Sequence, residues 1–271
     1  MKFSYNAVWD GTLALLRGHA PLVGAIAGVF IFLPSLLLGH FLPAPQPASA
    51  DPQADVDLLM TYLGATWYWQ LLAVVVTMVG DLAILILVLD HGRPTVGSAI
   101  AKAMKALPYF LLASFIVAVA MTLVAAIGVL LFGLLAAAAG PVIGSLGTIA
   151  VLVLLFYLSA RALSVMSAVA AIEHRTPLDM IRRTWALTRG HGWAILGLVF
   201  LILLAGGTAS LAISFVVGGI VRLALGTALA DFLILLVGSA FNSALAAFLV
   251  LVTGSIYREL SEGESTASLF D

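Results

Sequence analysis

Six apolar stretches, at about 21–42, 64–89, 107–134, 146–171, 192–217 and 228–256, fill most of this 271-residue chain. They constrain its fold more than any motif does. Each is long enough to cross about 30 Å of hydrocarbon at 1.5 Å per helical residue. Inside lipid every backbone N–H and C=O must be satisfied within the protein, which leaves helices or a closed barrel. Barrel strands alternate polar and apolar residues, and these runs of Leu, Val, Ala and Gly do not. The expectation is an all-α integral membrane protein with six transmembrane helices arranged as three hairpins. Charged residues make up 9% of the chain, against about 25% in soluble domains, too few to cover a water-exposed surface.

The basic residues predict the orientation. With a cytoplasmic N-terminus, Lys2, Arg17, Arg93, Lys102, Lys105, Arg175, Arg182, Arg183, Arg189 and Arg258 fall on the inner side, 10 of the 12 Lys and Arg. Only Arg222 falls outside, and Arg161 lies within a span. The positive-inside rule therefore predicts that both termini are cytoplasmic. The first outer segment, PAPQPASADPQADVD, carries three Asp, four Pro and no base, and reads as an extended or mobile loop. Ala48-Ser49-Ala50 resembles a cleavage site, but the apolar run before it is about twice a signal core of 7–15 residues. A retained first span is expected.

A six-letter motif occurs twice. ALLRGH at 14–19 returns as ALTRGH at 186–191, 172 positions later. Amphipathic patterns precede spans one, three and five. Their apolar stripes are Tyr5, Trp9, Leu13 and Leu16, then Val96, Ile100, Met104 and Leu107, then Leu178, Ile181, Trp185 and Thr188. Spacings of three and four are helical, and such basic helices lie in the membrane interface. Asp90-His91-Gly92-Arg93-Pro94 and Glu173-His174-Arg175-Thr176-Pro177 open the second and third segments alike. The chain thus parses as one membrane domain, 1–260, with approximate units 1–90, 91–172 and 173–260. Each unit is a cytoplasmic interfacial amphipathic helix followed by a hairpin, and 261–271 forms a tail.

The Arg-Gly-His corner admits two readings. Glycine commonly ends helices, so the corner could simply stop the interfacial helix. Alternatively, Arg17, His19, Arg182, Arg183, Arg189 and His191 meet anionic lipid headgroups, since basic clusters on the inner face attract them. Two charges, Asp81 and Arg161, fall inside spans, where ionisable groups pair or line wet cavities. They are expected either to bridge each other or, with Asn242, to form a polar site.

No catalytic motif stands out. The five histidines lack metal-ligand spacing such as HExxH, and GxSxG and Walker loops are missing. No metal or other cofactor is expected. With no cysteine the chain has neither disulfides nor thiolate ligands, and a net charge of −1 does not suit nucleic acid.

TPLDMIRRTWALTRGHGWAILGLVFLILL, at 176–204, resembles bacterial inner-membrane proteins related to the membrane domain of glycerophosphoryl diester phosphodiesterases. Arg182, Trp185, Thr188, Arg189 and Gly190 carry the resemblance, and SIYREL at 255–260 is similar too. The chain ends at Asp271 without the catalytic barrel, so the resemblance implies a membrane module near phospholipid metabolism and no phosphodiesterase activity. The leading reading is a non-enzymatic protein that contacts anionic phospholipids or supports a membrane protein partner. The alternatives are a small transporter for an amphipathic solute and, third, a membrane-embedded enzyme of phospholipid metabolism.

Overall fold

The computed structural model describes residues 3–45, 52–92, 94–173, 176–225 and 227–267. Helices account for nearly all of them, and no strand occurs among the described residues. The helices are α1 (Tyr5–Ala27), which continues through a π-helical turn (Gly28–Phe32) into α2 (Leu33–Phe41), then α3 (Pro52–Leu89) and α4 (Val96–Ala139). They are followed by α5 (Pro141–Leu163), α6 (Met166–Ile172), α7 (Pro177–Leu187), α8 (Gly192–Leu225) and α9 (Thr227–Ala267). Six helical segments are long and apolar enough to cross a membrane, as in a polytopic membrane protein.

Three helices start with the same device. The hydroxyls of Ser4, Thr95 and Thr176 accept the N–H groups of Ala7, Ser98 and Asp179, each three residues on. A hydroxyl at this position satisfies one of the free N–H groups of the first turn. Buried residues then follow 4, 8 and 11 positions after each cap: Val8, Thr12 and Leu15; Ala99, Ala103 and Ala106; Met180, Thr184 and Leu187. Of the stripes expected from apolar size, Leu107 and Thr188 are buried too, and Leu16, Val96, Ile100 and Ile181 pack against the core. Tyr5, Trp9, Met104, Leu178 and Trp185 stand exposed. In lipid a large apolar side chain loses little by facing outward, whereas helices approach closely over small or slender ones.

The two copies of the corner differ. In the first, Arg17, Gly18 and His19 are helical and α1 runs on through Pro21. Gly18 therefore stops nothing there. In the second, α7 ends at Leu187, Thr188 caps it and Gly190 takes φ +82°, a left-handed conformation that glycine reaches without strain. Only this copy turns the chain. Before span three, α4 runs straight into the span through Pro108. The expected loop also ends early, because α3 begins at Pro52 and takes in Asp55 and Asp57. Ala48 to Asp51 lie outside the described residues, as do Lys2, Arg93, His174 and Arg175.

Packing is concentrated at one end of the bundle. In α3 every residue from 79 to 89 is buried except Asp81. A helix that is apolar all round belongs inside, and here α1, α4, α6 and α9 surround it. By contrast, between 118 and 151 the buried positions among the described side chains are Gly128, Gly144, Gly147 and Val151. Those residues line the seam between α4 and α5, where a Cβ on Gly128 would fall 2.6 Å from the Val151 side chain. The far half of that hairpin thus stands apart from the shared core.

Candidate functional site

A cavity of about 980 Å³ opens at the packed end, the upper part of the range for ligand sites. Gly18, His19 and Leu22 of α1 form one wall, and 87–91 with Pro94 form a second. Ile172 closes it from α6, and α9 supplies Tyr257, Arg258, Ser261 and Glu262. The cavity therefore unites three sequence features far apart in the chain: the first Arg-Gly-His corner, the Asp90-His91 turn and the SIYREL segment. Its surface is part aliphatic, from Leu22, Leu87, Val88, Leu89 and Ile172, and part ionic.

The polar wall is held from behind. Lys102 donates to Asp90 Oδ2 at 2.6 Å and the Gly92 N–H to Oδ1 at 2.9 Å. The Lys102 ammonium and then the Gly92 N–H hold the Asp90 carboxyl below the usual aspartate range. Tyr257 donates its hydroxyl to Glu173 Oε1 at 2.9 Å, and Arg183 Nε reaches the same oxygen at 3.3 Å. This network ties α9, the end of α6 and α7 together. Three bases line the cavity: His19, His91 and Arg258. His19 Nδ1 sits 3.2 Å from the Leu15 carbonyl. Arg258 lies 3.8 Å from Glu262, an exposed pair four residues apart, and such pairs are worth only about 0.3–0.5 kcal/mol.

The second corner is a packed junction. Arg161 donates from Nη2 to the Trp185 carbonyl at 3.1 Å, and its guanidinium stacks 3.9 Å from the Trp185 ring centre. Its Nε points to Thr188 Oγ1 at 3.5 Å. Tyr157 and Trp193 stack beside it with ring centres 4.9 Å apart. Gly192 makes this possible, because a Cβ there would fall 2.8 Å from both Arg161 Cδ and Tyr157.

Of the predicted headgroup residues, only His19 lines the cavity. Arg17, Arg182 and Arg189 are exposed, Arg183 is bound to Glu173, and His191 packs near the Phe3 ring, 6.1 Å between centres. The three intramembrane candidates do not converge. Arg161 bonds to the corner, not to Asp81, and Asn242 donates to the Gly238 carbonyl of its own helix. α5 ends at Leu163, and the short α6 follows as a separate helix, so Arg161 lies near a helix end and reaches the turn. Sequence reasoning missed Arg258, Tyr257 and Lys102 as site residues. The signal was the cluster Tyr257-Arg258 at the end of an apolar run. Among the described residues no group of three His, Asp or Glu could hold a metal. Comparison with known protein families, curated proteins and solved structures finds no match.

Proposed function

We propose that this chain is a non-enzymatic, multi-pass protein of the bacterial inner membrane, with both termini cytoplasmic, that holds an anionic phospholipid at its cytoplasmic end. The cavity carries this reading. It pairs aliphatic walls with Arg258 and His19, and an amphiphile with an anionic head and an apolar stem fits both. Of the two acids in the cavity wall, Asp90 is engaged by Lys102 and Glu262 lies beside Arg258.

Native mass spectrometry of the purified chain with added phosphatidylglycerol tests it. The wild type should retain the lipid, and Arg258→Ala combined with His19→Ala should weaken retention about tenfold, equivalent to 1.4 kcal/mol. Arg222→Ala, a change in the Arg222–Asp231 pair far along the chain, should not. Equal retention in the double variant would end this reading.

We also infer that the three capped segments are copies of one unit. The matching caps and buried positions at 4, 8 and 11 residues support this, and the 172-residue spacing from Ser4 to Thr176 equals that between the two Arg-Gly-His corners.

A further inference from the structure

We propose that Asp81 binds the charged group of a hydrophobic organic cation within the membrane. The proposal does not depend on the lipid cavity. Asp81 is half-buried, the one residue between 79 and 89 that is not fully enclosed and the only charge in that stretch of α3. It lies eight residues before the end of α3, roughly 12 Å along the helix axis.

Among the described residues no hydrogen bond or ion pair reaches its carboxylate, and the other charge expected within a span, Arg161, bonds to Trp185. Charged groups at such depth pair or line a cavity, and here the protein supplies no partner. A positively charged ligand would give the carboxylate the partner that the protein does not.

The surroundings select its class. Asp81 shares a helix face with Leu85 and Leu89, whose side chains pack against Gly254 of α9, 3.3 and 3.6 Å from a Cβ placed there. The helix is closed from Leu82 to Leu89. On the other side of Asp81, 75–78 are half-buried and Val74 is exposed, so the approach comes from the splayed end. Next to it, Gly80 admits Phe30 of the π-helical turn, 2.5 Å from a Cβ position, and π-turns recur at functional sites. Hard divalent ions need six or more oxygen ligands, and one carboxylate flanked by Thr77, Met78, Ile84 and Leu85 does not provide them. An organic cation needs only the single charge and apolar walls.

Isothermal titration of the purified full chain with tetraphenylphosphonium, and with neutral triphenylphosphine oxide as control, tests the proposal. The wild type should bind the cation and not the neutral compound. Asp81→Asn should lose about tenfold or more in affinity, and Asp81→Glu should keep part of it. Phosphatidylglycerol retention should be unchanged in both variants, which separates this site from the cavity. Should Asp81→Asn fail to fold, tetraphenylphosphonium must protect wild-type Asp81 from a hydrophobic carbodiimide, read by peptide mass. Equal binding by folded Asp81→Asn, or no protection, overturns the proposal.

Discussion

Arg161 shows how little a residue's type settles by itself. An arginine in an apolar run suggests an intramembrane charge seeking a carboxylate. Its long stem instead carries the guanidinium to the turn after α7, where a carbonyl, a hydroxyl and an indole face receive it. Arginine stacks and bonds in a plane, and lysine does not. Arg161→Lys should therefore destabilise the junction by about 1 kcal/mol, seen as a lower thermal midpoint with altered Trp fluorescence. An unchanged midpoint would show that the stack adds nothing.

Among the elements, the start of each capped segment was the most legible and its buried face the least. The hydroxyls of Thr176, just before Pro177, and of Thr95 are local signals that a helix begins. Which face turns inward depends on what it meets. Thr184 and Ala103 are inside while Trp185 and Met104 are outside, because neighbouring helices come close there and lipid accepts the larger side chains. Thr176→Ala removes the cap of α7 and should cost about 1 kcal/mol. Hydrogen exchange across 177–187 should accelerate while α3 is unaffected.

Over the whole molecule, stability resides in the packed end. Gly80 is where the π-helical turn approaches α3, so Gly80→Leu should force Phe30 away. Overpacking of this kind costs about 1–3 kcal/mol. Gly64, with nothing within 4 Å of a Cβ position, should accept Leu with no change in thermal midpoint. If both variants behave alike, the glycine spacing does not direct the packing.

Six helices were determined by the sequence alone, because runs of apolar residues in lipid must satisfy their backbones internally and only one local geometry does so. The second corner was legible for the same kind of reason, since Gly190 supplies a left-handed turn. Tertiary structure decided the rest. The same Arg-Gly-His letters stay helical at 17–19 because Gly18 does not take up a left-handed turn there, and they bend at 189–191 where Arg161 and Trp185 lock the turn. His19, Asp90 and Arg258 form one cavity only because α1 and α9 pass beside the end of α3. Long-range packing of that sort leaves no periodic trace along a chain.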